Sequence, residues 1–461
     1  MTTSTVTTPI NLAEAGPRFR PGTTQLPALA LGLGYLALAS AGALSVSAKW
    51  LVALVLACAA GFACCAAAAA RQRLLLSTSN VVLWAVVFRA PFVFAQPVLS
   101  DDVWRYLWDG KLAASGIDPY AYAPDAPEVA IYRDDVWSRV NHRSIPTVYP
   151  PAAQILFRIA ASHGGLVTWK LMCVGFDLVV IAALAAPLRR RPAGAARLLL
   201  YAWNPLVIVE FAWSGHVDAA AIALCTLAIV AARKRHDRTA LALASVAAGI
   251  KLFPALLLPM LVRRARTCAS WAIPLAVAAT GVAPYLSPGA AASLDGLRTY
   301  ARTWEFNSVP YALLTQVEPD PLRARSILAA ILMIAVLVVT VRRREPEDAA
   351  VAILAACVAL SPTVHPWYVT WALPAAVLSD RLPRLASLTA TVAVLMSYAV
   401  LMTRETTGAW SLPRLWLGLE WGVVAAVFAG EWIIHLRRTP WARAIRCGDV
   451  ERRPGRPHPP G

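Results

Sequence analysis

Charge is what this sequence has least of. Only 15% of its 461 residues are Asp, Glu, Lys or Arg, where a soluble domain carries about 25%. Acids are the scarcer sign, 26 Asp and Glu against 43 Lys and Arg, for a formal net charge of +17. Short-period alternation of apolar and polar residues is also missing, which excludes a membrane β-barrel. The eight cysteines (58, 64, 65, 173, 225, 268, 357 and 447) lack metal-ligand spacing and lie mostly inside apolar runs, so they read as small core residues. No P-loop, GxGxxG run, DxD motif in a soluble domain or metal box appears, and a soluble nucleotide-sugar-binding domain is absent. Residues 1–24 are polar without an apolar h-region, so a cleavable signal peptide is not expected.

What is present is apolar length. With 58% hydrophobic residues and a mean hydropathy of +0.56, the chain repeats apolar stretches of about 17–22 residues, enough to cross a hydrocarbon core roughly 30 Å thick. The expected fold is an all-α polytopic integral membrane protein. Spans are predicted near 27–47, 50–70, 78–95, 168–187, 197–213, 216–232, 268–286, 324–341, 347–361, 366–380, 384–402 and 413–435, about twelve in all. The positive charge sits in short clusters between them: Arg18 and Arg20, Arg71 and Arg73, 189–191, 233–235, 263–266, 342–344, Arg381 and Arg384, and Arg437 and Arg438. Such clustering marks cytoplasmic loops; binding of nucleic acid is not expected.

All of these clusters fall on one side if the N-terminus is cytoplasmic and segment 239–262 dips in and returns. Its centre, Gly249-Ile250-Lys251-Leu252-Phe253-Pro254, supplies the break, because Gly and Pro interrupt a helix and Lys251 is costly in lipid. The amphipathic piece 150–161 then lies at the interface or re-enters. The same topology puts every unusual polar motif outside: 100–154, 214–218 (SGHVD), 287–322 and 361–367 (SPTVHPW). The domain reading is a cytoplasmic N-terminal tail at 1–26, a transmembrane body at 27–435 with a large first external loop at 96–150, and a Pro/Arg-rich cytoplasmic tail at 436–461.

The densest chemistry lies in that loop. Asp101 and Asp102 stand where the chain leaves the membrane, followed by Arg105, Tyr106, Trp108 and Asp109. A carboxylate here can act as a general base on an attacking hydroxyl; its plain alternative is helix capping. On a helix, Asp101 faces Arg105 and Asp102 faces Tyr106 and Asp109, so an Arg105 ion pair is expected for Asp101, leaving Asp102 free. Tyr120, in the turn 116–120, offers a ring for a sugar or serves the turn alone. Asn141, His142, Tyr149 and Gln154 form the loop's second half, where polar groups can meet sugar hydroxyls or phosphate. His216 and Asp218 flank a Ser-Gly turn and either serve a site or pair with each other; Glu210 nearby either serves a site or pairs with an Arg. Asp177 and Arg89, inside apolar runs, are expected to form a buried ion pair. Lys251, Arg302 and His365, with Arg105, are candidate cations for an anionic lipid phosphate, against snorkelling as the plain reading. Asn307 and Trp367 complete the candidate set, and the remaining Trp residues read mostly as interface belt.

In order, SDDVWRYLWDG, GIDPY, YPPAAQ, NPLVIVEFAWSGHVDA, KLFP and SPTVHPWYVTW resemble the bacterial polyprenol-phosphate-mannose-dependent mannosyltransferases of the GT-C superfamily, and glycosyltransferase family 87 more broadly, over roughly residues 78–400. The resemblance implies a GT-C-like membrane enzyme that takes a sugar, mannose first, from a polyprenyl-phosphate donor at the outer face of the cell membrane and gives it, with inversion, to a glycolipid or glycan acceptor. It implies an aspartate base in the first external loop: the family 87 Asp-x-x-x-Tyr pattern falls on Asp102 and Tyr106, whereas related groups use the first acid of a pair, here Asp101. It implies no metal and no other cofactor. Other readings are an arabinosyl donor, a transporter or flippase of a lipid-linked saccharide, and a non-catalytic envelope component.

Overall fold

The computed structural model of the chain describes residues 22–44, 46–74, 76–283, 294–342, 344–380 and 384–437. Residues 1–21 of the expected N-terminal tail and 438–461 of the C-terminal tail lie outside these, as do Arg18, Arg20, Arg381, Arg438, Cys447 and the 284–293 part of an external loop. Residues 22–26, placed in the tail by sequence, already belong to the first helix.

Among the described residues the fold is helical, with one isolated bridge between Phe306 and Thr363. In their described residues the predicted spans are mainly helical. Among the described residues six helices are long and apolar enough to cross a membrane: Gln25–Gly42, Ala48–Ala70, Leu166–Leu188, Pro321–Val341, Leu385–Thr407 and Arg414–Ile434; a pair bent by 41°, Gly194–Ala202 with Pro205–Trp213, makes up to seven. The other predicted spans are shorter or broken among the described residues, and six or seven helical units pass the length and composition test by themselves. Pro explains several breaks, since it removes a helix donor and restricts the residue before it: Pro205, Pro254 and Pro366 each open a new helical piece.

The first four helices are α1 (Gly22–Ala43), α2 (Ala48–Ala70), α3 (Thr78–Phe94) and α4 (Asp102–Ala114). Leu415, Phe428, Trp432, Ile433 and Ile434 on the last helix stay exposed, as do Ile331, Met333, Ile334 and Leu337 on Pro321–Val341. In a bilayer such faces meet lipid tails and need no protein partner. The centre is the opposite: every residue from 201 to 223 is buried. Tyr35 of α1 donates to the Trp203 carbonyl (3.0 Å), and Trp203 Nε1 donates to the Val81 carbonyl of α3 (2.9 Å), so the early helices are tied to that centre. The buried pair expected from sequence is there. Arg89 Nε meets Asp177 Oδ2 at 2.5 Å, and Tyr201 donates to Asp177 Oδ1 at 2.8 Å.

α4 positions the site. It packs on the helix Pro151–Ser162 so closely that a Cβ on Gly110 would lie 2.2 Å from the Phe157 carbonyl oxygen. That atom is backbone and cannot step aside, so Gly110→Ala must push the helices apart. We expect a loss of about 1–3 kcal/mol, the range for overpacking a core, read as a lower melting temperature of detergent-solubilised protein. An unchanged value would mean the approach is not so close.

Candidate active site

α4 begins at Asp102. Asp101 holds the cap position (φ −104°, ψ 1°), yet neither carboxylate caps the helix. Ser100 does: its Oγ accepts from the Asp102 N–H at 3.3 Å. The capping alternative therefore does not account for the acids. Their oxygens turn instead to Asn141, whose Nδ2 donates to Asp101 Oδ1 (2.7 Å) and to Asp102 Oδ1 (3.1 Å), while the Tyr149 hydroxyl donates to Asp102 Oδ2 (3.3 Å). Sequence placed Asp101 against Arg105. Arg105 instead pairs with Asp109 (2.9 Å) and donates to the Ile145 carbonyl (2.9 Å). The i,i+4 rule applies only inside a helix, and Asp101 precedes it.

Both acids line a cavity of about 810 Å³ with Arg105, Asn141, His142, Tyr149, Lys251, His365 and Trp367. Four separate stretches of the sequence thus converge. Leu99, Val148, Leu252, Phe253 and Val400 give the cavity an apolar part. Lys251, in extended backbone just past the helix Asp237–Ile250, reaches Asp218 Oδ2 (3.2 Å) and lies over the rings of Tyr149 (5.4 Å) and Tyr368 (5.5 Å). The break predicted at Lys251 is thus present. Trp371 Nε1 donates to the other Asp218 oxygen at 2.7 Å. One wall is an aromatic stack: Phe306 on His365 (centroids 5.3 Å, 22°), His365 on Trp367 (4.4 Å, 7°) and Trp367 on His216 (3.8 Å, 19°). His142, in left-handed backbone (φ 45°), meets Trp304 at 4.5 Å.

Electrostatics separates the two acids. Burial opposes ionisation of Asp102, but His216, His365 and Lys251 with the Asn141 hydrogen bond outweigh it and hold its carboxyl below the ordinary range. Burial and the neighbouring Asp102 push Asp101 up. Burial holds the His365 imidazole down to about 3, so it is neutral at physiological pH. Of the two acids, Asp102 is the more readily ionised.

Several predicted site residues are not cavity-lining. Trp108 is fully buried against Leu112, Val129 and Val140. Asp109 is the buried partner of Arg105. Tyr106 is fully buried and stacked on Phe157 (4.7 Å, 6°). Gln154 donates to Thr147 (2.9 Å), Tyr120 to the Tyr149 carbonyl (2.7 Å), and Asn307 to Glu420 (2.8 Å), so these three hold loops and helices in place. Arg302 is exposed and outside the lining. His216 and Asp218 lie beneath the floor. Neither of the pairings expected there forms: His216 meets Glu210, and Asp218 takes Lys251. Sequence reasoning missed Arg404, Trp410, Tyr300, Tyr368 and Tyr398 of the lining. Arg404 had a signal: it is a cation in a loop that the topology puts on the side otherwise poor in them. Among the described residues no three His, Cys, Asp or Glu side chains group as a metal site.

Two family models match the chain: the alpha-(1->6)-mannopyranosyltransferase N-terminal domain over residues 21–267, more than half of it, and the MptB C-terminal domain over 322–432. Among curated proteins, the chain is 28% identical over 184 residues to alpha-(1->6)-mannopyranosyltransferase A of Mycobacterium tuberculosis, covering 38% of this chain and 35% of the relative. It is 26% identical over 194 residues to the protein of the same name from Corynebacterium glutamicum, covering 39% and 37%. The match spans little more than a third of each relative's length. No solved structure matches.

Proposed function

The chain belongs to the alpha-(1->6)-mannopyranosyltransferase family, and we propose that it transfers mannose from a polyprenyl-phosphate donor to a glycolipid or glycan hydroxyl at the outer face of the cell membrane, with inversion and without a metal. The linkage to test first is the α-(1→6) named for its relatives. The observation that carries the reading is Asp102: an anionic carboxylate held by Asn141 and Tyr149 in a cavity that also offers cations and an apolar part.

A donor with a polyprenyl tail stays in the bilayer, so its reacting carbon must meet the acceptor at the interface. The tail's first units fit the Leu99, Leu252 and Phe253 part of the lining. Its phosphate fits beside Lys251 and the exposed Arg404, which rests 5.4 Å from the Trp410 ring. Arg105 is a further candidate; Asp109 pairs with it as Asp218 pairs with Lys251. The acceptor oxygen attacks the anomeric carbon while its proton passes to Asp102. The bond from that carbon to the phosphate oxygen breaks, and the phosphate leaves with the electron pair, its charge met by the cations. Phosphate is already a good leaving group, so positioning and one base supply most of the effect.

The test is transfer in nanodiscs from radiolabelled polyprenyl-phosphate mannose to a mannoside acceptor, with and without EDTA. Mannoside elongation that EDTA leaves unchanged is expected. Loss of transfer on EDTA treatment, restored by a divalent cation, would overturn metal independence. Transfer only from the arabinose analogue would change the sugar and keep the mechanism, and none from either donor by folded protein would favour transport of a lipid-linked saccharide.

A further inference from the structure

The floor of the cavity contains a second carboxylate that the reaction above does not use. Glu210 and His216 are both fully buried, and His216 Nε2 lies 3.2 Å from Glu210 Oε2. The other Glu210 oxygen accepts from the Tyr398 hydroxyl. On its opposite edge, His216 Nδ1 sits 3.4 Å from the Tyr106 hydroxyl and 3.8 Å from Asp102 Oδ2. We propose that Asp102, His216 and Glu210 form a carboxylate–imidazole–carboxylate relay in which His216, oriented by Glu210, positions and polarises Asp102 from beneath the cavity.

The backbone is shaped for this. Residues Ile208–Trp213 form a π-helix, and Gly215 takes a left-handed turn (φ 71°). The His216 N–H then folds back to the Glu210 carbonyl at 2.9 Å, which brings two residues six apart into one contact. Wide helical turns of this kind recur where a side chain must be aimed at a site. A buried carboxylate also needs a cation. Among the described residues no Lys or Arg lies within ion-pair distance of Glu210, and His216 is the basic side chain beside it. The same imidazole lies 3.8 Å from Asp102 Oδ2, while the Trp367 ring covers its face at 3.8 Å and fixes its plane.

The groups around the relay come from several packed elements. α4 presents Asp102 and Tyr106; the helix Leu166–Leu188 presents Cys173, whose Sγ lies 3.8 Å from the His216 carbonyl; the turn Val394–Ala399 presents Tyr398. Asp218, two residues on, is taken by Lys251 and Trp371. Asp101, Tyr149, Asn141, Lys251 and His365 act on Asp102 from the cavity side. His216 neither bonds to substrate nor changes its bonds in the step; it is a positioning residue.

The inference rests on reading Asp102 as the base, and the experiment keeps the two apart. Transfer from polyprenyl-phosphate mannose is measured against pH for wild type, Asp102→Asn, His216→Gln, the near-isosteric Glu210→Gln and the double variant, each with a melting temperature. Removing the imidazole, the foremost of the groups that hold the Asp102 carboxyl down, or the Glu210 side chain that orients it, moves the acidic limb of kcat/KM to higher pH. kcat falls about 10–100-fold, as when a group that orients another is lost, with donor KM nearly unchanged. The double variant is no worse than His216→Gln alone. If Asp102→Asn retains full turnover, the base reading fails. If Asp102→Asn is inactive while folded Glu210→Gln and His216→Gln keep the wild-type limb and kcat, the relay fails alone. Should His216→Gln not fold, Glu210→Gln decides by the same readout.

Discussion

Asp102→Asn is expected to lower kcat by about 10³-fold while donor KM stays within a few-fold, the loss that follows when a positioned general base is removed. The substitution keeps the shape of the side chain and the packing of α4, so lost turnover cannot be assigned to an unfolded helix. Asp101→Asn makes the comparison. Asp101 shares the Asn141 amide with Asp102, and burial together with its neighbour's charge pushes its carboxyl up. Removing that charge favours ionisation of Asp102 still further, so Asp101→Asn is expected to cost much less and to move the acidic limb to lower pH. Radiolabelled transfer followed from neutral pH down to well below 3.8, the ordinary value for an aspartate, measures both. The reverse ranking, with Asp101→Asn inactive and Asp102→Asn active, would assign the base to Asp101 and overturn the role given to the Asn141–Tyr149 cradle.

What was legible in the sequence follows from how each feature is encoded. Apolar runs separated by basic clusters are a one-dimensional signal, and the runs predicted to span are mainly helical in their described residues. How many cross is less so, because segments such as 194–213 and 366–380 carry Pro and break into pieces whose packing decides their path. The motif loops are also local signals, and the structure brings Asp101, Asp102, Asn141, His142, Tyr149, Lys251, His365 and Trp367 to one cavity. Direction was not legible. Trp108 and Asn307 sit in polar or aromatic stretches like their neighbours, yet Trp108 turns into a small core beneath the loop and Asn307 toward Glu420. The Glu210–His216 contact was hidden for a geometric reason: six positions lie about 240° apart around an ordinary α-helix, and only the π-turn brings them together.

Arg89→Met is expected to have the largest effect on stability. Arg89 and Asp177 are both fully buried. The guanidinium also donates to the Ala85 and Ala202 carbonyls, each at 2.8 Å, so one side chain joins α3, Leu166–Leu188 and Gly194–Ala202. Removing it strands a buried carboxylate with Tyr201 as its remaining partner, a loss of about 3–5 kcal/mol. Asp177→Asn added to Arg89→Met should recover a large part, because the amide oxygen still accepts from Tyr201 while the uncompensated charge is gone. Thermal unfolding in one detergent compares the variants; a single variant as stable as wild type, or a double variant no better than the single, would show the pair to be less tightly coupled than its geometry indicates. The pair has a functional side as well. Lys170, on the same helix as Asp177, donates to the Phe92 and Ala95 carbonyls where α3 ends, only a few residues before Asp101. Fixing α3 against Leu166–Leu188 therefore fixes where the chain leaves α3 and presents its acids. Arg89→Met protein that remains folded at low temperature should accordingly lose turnover, although Arg89 lies outside the cavity lining.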